Sequence, residues 1–314
     1  MHELRAACAT VAQRARHVWI VRDQIPLYAA SLPLDTATAV DPGEADADAD
    51  ASADAHAAQA PREQLAAFWL TLDAINFGSG WFPTLRKPAG RSGYFTIAGG
   101  LRRRFDEAGP WSAGELAAMD AATIANTLGQ EADHELMALF AQSLRDFGTH
   151  VTDEHGGRFA AVADAAGGSA VALARHLGGW ASFADMSKYA ELTIPFLKRA
   201  QIAAADLARA GVAVFADLGS LTMFADNLVP HVLRLDGILQ FDPELVARID
   251  RGELIEHDSP EEVEIRACAL HTVELMLTAA PRCDAVDVDE VLWRRGQDRR
   301  YKAVPRHRSR CTAY

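Results

Sequence analysis

In HELMALFAQSLRDFGTHV, residues 134–151, the side chains of Leu136, Leu139, Phe140, Leu144 and Phe147 fall at i, i+3, i+4, i+8 and i+11. Only a helix with one buried face gathers those five on a common stripe, because a strand would send alternate residues to opposite sides. The same period returns through most of the chain beyond residue 60, and it sets the expected fold class: all-α, with at most a minor strand pair. Boundary signals agree with it. Asp242 followed by Pro243 opens FDPELVARIDRG, and Ser259, Pro260 and Glu262 open DSPEEVEIRACALHTVELML as a capping box. In IPFLKRAQIAAADLARAG, Pro195 marks a first turn and Gly211 a stop, while Ala200, Ala203 and Ala204 leave a face on which a neighbour can approach closely. SGYFTIAGG is the best strand candidate. No repeat of roughly 20–50 residues is present, which excludes a solenoid.

Residues 36–60, TATAVDPGEADADADASADAHAAQA, have almost no large apolar side chains, so burial there cannot offset the entropy of ordering. They are expected to form a flexible acidic loop. It separates an N-terminal helical segment, 1–35, that packs on the main body, from a helical domain, 61–314. No apolar run approaches the ~18 residues of a membrane helix, and MHELRAACATVAQRARHVW is charged throughout, so a cytoplasmic protein is expected. The four cysteines, Cys8, Cys268, Cys283 and Cys311, are scattered without CxxC spacing and read as free thiols. A net charge of -12 argues against binding a long nucleic acid, because that binding is driven by clustered cations and counterion release. A small anion in a local basic pocket stays compatible with it.

Several positions carry candidate chemistry. Glu131 and His134 form a Glu-x-x-His pair, half of a di-iron carboxylate motif. No second pair accompanies it, so it reads as a solvated helix face and no metal site is expected. In LTMFADNLVPHVLRLDGIL, Pro230 deprives the carbonyl of Asp226 of its helical N–H partner, which predicts a kink with an acid at it. Lys198 stands in the first turn of a helix, where a phosphate can be held, although a lysine there also snorkels to solvent. Eight of the 31 basic residues lie between Arg294 and Arg310, interleaved with Trp293, Tyr301 and Pro305, as in a tail that packs down. LDAINFGSGWFPTLRK, 72–87, ends an apolar helix in glycines, aromatics and a proline.

LDAINFGSGWF, IPFLKRAQIAAADL, LTMFADNLVPHVLR, EEVEIRACALHTVEL and RHRSRCTAY together resemble the successive signature blocks of the queuosine salvage family, the queuosine 5′-phosphate N-glycosylase/hydrolases. The resemblance runs from about residue 61 to the last residue and more weakly over the first 35. It implies a helical bundle similar to the helical DNA glycosylases. It also implies hydrolysis of the N-glycosidic bond of queuosine 5′-monophosphate, releasing the 7-deazaguanine base queuine, with no cofactor and no metal. Asp226 then becomes the expected catalytic carboxylate, facing an oxocarbenium-like sugar. Lys198, Arg308, Arg310 and His231 become the phosphate-binding candidates, and Asp73, Asn76, Phe77 and Trp81 those for the base. The chain departs from the family pattern at ADNLVPH and CTAY, which bears on base selection. The expected partner is the small nucleotide, with no intact nucleic acid and no membrane, bound by a monomer. Two other classes compete: a base-excision glycosylase acting on nucleic acid, which should present a basic face, and a non-catalytic nucleotide-binding module.

Overall fold

A computed structural model describes residues 1–34, 61–279 and 283–314. The acidic segment expected at 36–60 lies outside the described residues. The chain opens with α1 (His2–Arg14), β1 (Val18–Ile20) and α2 (Ile25–Ser31). Then come α3 (Arg62–Ala74), α4 (Gly93–Ala108), α5 (Ala113–Ala117), α6 (Ala121–Leu128), α7 (Glu135–His155), α8 (Phe159–Ala165) and α9 (Ala170–Gly178). A hairpin of β2 (Met186–Tyr189) and β3 (Leu192–Pro195) leads into α10 (Lys198–Arg209). The remainder is α11 (Leu228–Leu235), β4 (Leu239–Phe241), α12 (Pro243–Asp250), α13 (Pro260–Ala279), α14 (Ala285–Arg295) and α15 (Arg299–Lys302). Among the described residues the strands make only two antiparallel pairs, β1 with β4 and β2 with β3, so the mainly helical expectation holds.

The chain forms two compact units. One gathers 1–34, 186–198 and the described residues of 219–311. The other gathers 61–185, 199–218 and 312–314. In the first, α1 packs along α13, whose centre is fully buried, including Glu262, Glu264 and Arg266. A carboxylate can be buried there because it is fully used. Glu264 Oε2 accepts the N–H groups of Arg16, His17 and Val18 at 2.9, 2.6 and 3.1 Å, and Oε1 accepts the Tyr189 hydroxyl at 2.7 Å. In the second unit α7 is the axis. Leu136, Met137, Phe140, Leu144 and Phe147 are buried, with Met137 taking the inner place expected of Leu139. Gly148 lets α5 lie against α7: a Cβ there would stand 2.4 Å from the Ala117 nitrogen.

Three expectations are corrected. SGYFTIAGG is not a strand but the start of α4, capped by Ser92, whose Oγ accepts the Phe95 N–H at 3.3 Å. Its buried stripe of Gly93, Thr96, Ile97, Gly100 and Leu101 has helical spacing, but glycines and a threonine hide the period. Pro195 ends β3 rather than opening a helix, while Gly211 follows α10 with φ +67° as expected of a stop. Glu131 and His134 lie on no helix. They precede α7, where His134 Nδ1 accepts the Leu136 N–H at 3.2 Å and Glu131 pairs with Arg86. All four cysteines are free thiols, and no helix among the described residues is long and apolar enough to cross a membrane.

Candidate active site

Asp226 does not sit at a helix kink. The segment 221–227 is non-helical, α11 begins at Leu228, and Pro230 falls in its first turn, where a missing N–H removes no helical bond. The Asp226 side chain performs a different task. Its Oδ1 accepts the N–H groups of Leu228 and Val229 at 2.7 and 3.2 Å, so a negative oxygen meets the positive end of α11.

The neighbouring residues of this segment are clamped one after another. Asp289 Oδ1, from α14, accepts the Phe224 N–H at 2.9 Å. Arg266 Nε, from α13, donates to the Ala225 carbonyl at 2.9 Å while its guanidinium lies 4.0 Å from the centre of the Phe196 ring. Asn227 Nδ2 donates to the His307 carbonyl at 3.1 Å. The basic tail is thereby held down, and further bonds join it to the loop after α12: Ile255 N–H to the Arg308 carbonyl at 2.9 Å, Ser309 Oγ to the Ile255 carbonyl at 2.6 Å, and an Arg308 guanidinium N–H to the Gly252 carbonyl at 3.0 Å.

The outcome is a charged cluster within one unit. Burial first, and then the charge of Asp226, push the Asp289 carboxyl well above the usual carboxylate range, while Lys198 works the other way. Asp289 is thus the member of this cluster whose carboxyl is pushed toward its neutral form, by burial before anything else. Lys198 opens α10 and is buried. Arg306, half-buried, has its pKa lowered by loss of water, and Asp226 opposes that shift. The sequence singles out Asp226 and Lys198 and does not single out Asp289 or Arg306. A local signal for Asp289 existed, since it shares the buried stripe of Ala285, Val286, Val288 and Leu292.

The other phosphate candidates differ in character. Arg310 is exposed. His231 is buried, and loss of water pulls its pKa down to about 4. Its Nε2 lies 3.0 Å from the Tyr301 carbonyl, which can only accept, so the proton is on Nε2 and the ring is neutral.

The base candidates belong to the second unit. Asp73 is wholly buried in the last turn of α3, and Asn76 is half-buried just beyond it. The end of α3 is anchored through its Ala74 carbonyl, which accepts from Ser143 Oγ at 2.7 Å and from an Arg199 guanidinium N–H at 2.6 Å. Phe77 packs edge-on against Phe140, ring centres 5.0 Å apart, with the Arg199 guanidinium 4.9 Å from its ring centre. Trp81 Nε1 donates to Glu135 at 2.7 Å. Gly78, at φ +106°, turns the chain so that its N–H reaches the Tyr314 carbonyl at 3.0 Å.

A mostly helical chain that gathers two aspartates, a buried lysine and a half-buried arginine around one clamped segment is an all-α protein with a charged cluster in its interior. Within that class it belongs to the queuosine salvage protein family, whose model matches residues 55–314. Among its relatives is the queuosine 5′-phosphate N-glycosylase/hydrolase of Sphaerobacter thermophilus, 39% identical over 266 residues, covering 81% of this chain and 82% of that one. The Bos taurus protein of the same name is 29% identical over 246 residues, 71% of this chain and 72% of its own. The Mus musculus one is 32% identical over 189 residues, 54% and 56%.

Proposed function

We propose that this protein hydrolyses the N-glycosidic bond of queuosine 5′-monophosphate, giving queuine and ribose 5-phosphate. The observation that carries the reading is Asp226, its carboxylate held by two N–H groups at the start of α11, in a chain 39% identical to a hydrolase of that name. Water adds its oxygen to C1′ as the bond from C1′ to the base breaks. One water proton ends on the departing base and the hydroxyl remains on the sugar. Asp226 faces the positive charge that grows on the sugar and orients or deprotonates the water. This matters more for a 7-deazapurine than for a purine, because carbon replaces the N7 that otherwise takes a proton to ease departure. Asp289 is a positioning residue: it fixes the Phe224 amide two residues before Asp226, and burial pushes its own carboxyl well above the usual carboxylate range.

Lys198, Arg308 and Arg310 meet the phosphate, a single dianion that a basic tail on a chain of charge -12 suits better than tRNA. His231, neutral and bonded to Tyr301, serves this group by packing under the tail rather than by charge. For the base, Asp73 and Asn76 suit the guanine-like N–H edge by their chemistry, and Phe77 and Trp81 suit stacking on its face. In this reading the protein acts in the cytoplasm, where thiols such as its four stay reduced, and it works as a monomer without a metal cofactor.

The test is chromatography with mass detection of the products from queuosine 5′-monophosphate, with and without chelator. Wild type should release queuine under both conditions. Asp226→Asn should lower turnover by about 10²–10⁴ with an unchanged circular dichroism spectrum, a loss in the range typical of a displaced acid–base group. A full rate in that variant, or no queuine from wild type, overturns the reading.

A further inference from the structure

The ends of α7 and α9, in the second unit, bring together Glu154, His155 and His176, none of which the proposed hydrolysis uses. The His155 and His176 Nε2 atoms face each other at 3.2 Å with their rings at 88°. Glu154 Oε2 lies 3.6 Å from His176 Nε2, and the three ligand atoms all lie within 4.8 Å of one another. Two imidazole nitrogens bound to one Zn²⁺ at about 2.0–2.1 Å with a tetrahedral angle stand about 3.3 Å apart, so this spacing is what a shared metal requires.

The surroundings are built in the same sense. The other Glu154 oxygen, Oε1, is 2.5 Å from His150 Nδ1, and His150 Nε2 is 3.8 Å from Asp146 Oδ1, so a further histidine orients the ligand carboxylate. His150 lies flat on buried Trp180, ring centres 4.7 Å apart at 6°, and His176 meets the edge of the same indole at 5.0 Å. His155 ends α7 and His176 lies in the last turn of α9. Two helix C-termini, each with partial negative charge, therefore converge on the place where a cation would rest.

The geometry points to a binding site for one zinc-class divalent cation (Zn²⁺, Co²⁺, Ni²⁺ or Cu²⁺), held by His155 Nε2, His176 Nε2 and Glu154 Oε2, with the fourth position open to water. Each imidazole then carries its proton on Nδ1, and the ion ties the end of α7 to the end of α9. A set of two histidines and a carboxylate suits this class and not Mg²⁺ or Ca²⁺, which prefer all-oxygen ligands. The site is separate from the hydrolysis and stands or falls without it.

Equilibrium dialysis of the tag-free, chelator-stripped full chain against Zn²⁺ alone, near pH 7.5, reads the stoichiometry. Wild type should bind one ion per chain, and His155→Ala/His176→Ala should lose it. His150→Ala should keep the ligands but weaken binding by about 10- to 100-fold, as loss of an orienting partner does. The thermal midpoint should rise with Zn²⁺ in wild type and not in the double variant. Both variants should hydrolyse queuosine 5′-monophosphate at the wild-type rate, which separates this site from the catalytic one. Equal Zn²⁺ binding by wild type and double variant, or no binding by wild type, overturns the proposal.

Discussion

Burial holds the His231 ring neutral, and this sets a pH dependence with a definite sign. Its folded pKa, about 4, lies below the ordinary 6.5, so the unfolded chain takes up the proton first as the medium is acidified. The stability that His231 confers is complete above pH 6.5 and is lost between 6.5 and 4, by roughly 1.4 kcal/mol per pH unit. His307, pulled down to about 3, acts in the same direction. His231→Asn should flatten the pH slope of the urea-unfolding free energy across that window, and an unchanged slope would contradict a buried neutral ring. Asp289 titrates in the opposite sense. Raising the pH eventually places a second negative charge beside Asp226, so turnover should fall on the alkaline side, and Asp289→Asn should remove that limb while changing KM little. A merely structural Asp289 would leave the shape of the profile alone. Asp226 and Lys198 stand out in the sequence as charged residues within apolar runs, but only the family resemblance gives them roles. Asp289 leaves only its place on the apolar stripe of α14 as a signal, since its partner amide lies 65 positions away along the chain and only tertiary packing joins them.

At the scale of elements, the helices written in strong local chemistry were the legible ones. Asp242 caps α12 through its Oδ1, as its position before Pro243 implies. Ser259 caps α13, but Glu262 bonds to the Asp258 N–H rather than completing the box. The chain was misread where packing outweighed residue preference, as in α4, whose aromatic and β-branched residues favour a strand until its glycine-bearing face finds neighbours. Gly148 shows how tightly such faces are fitted. Gly148→Ala would drive a methyl into the α5 backbone, and chemical denaturation should register a loss of about 1–3 kcal/mol. Arg266→Met would release the Ala225 carbonyl and take the guanidinium, 3.7 Å away, from buried Glu262, leaving that carboxylate with His257 Nδ1 at 3.4 Å as a cationic neighbour. Removing one partner from such a buried pair costs about 3–5 kcal/mol, and in this protein the loss should extend to turnover because the Asp226 segment loses a clamp. A variant that is destabilised but turns over normally once folded would mean that this clamp does not govern Asp226.

For the molecule as a whole, net charge bears on substrate choice. At -12, with cations concentrated in one short tail, the protein should give no mobility shift with intact tRNA at physiological salt while it turns over the free nucleotide. A salt-sensitive tRNA complex would favour the base-excision alternative. The helical class was readable from periodicity alone, whereas the division into two units was not, because each unit collects segments far apart in the chain. Residues 1–34 join 186–198 and 219–311 through the packing of α1 on α13, the pairing of β1 with β4 and the grip of Glu264. One carboxylate oxygen gripping three consecutive amides, Arg16 to Val18, has a consequence for solvent exchange. Only Val18 of these begins a regular element, yet all three hydrogens should give way to deuterium as slowly as those in the middle of α13. In Glu264→Gln they should be the first to exchange, because the opening of the N-terminal segment would no longer wait on the opening of the core.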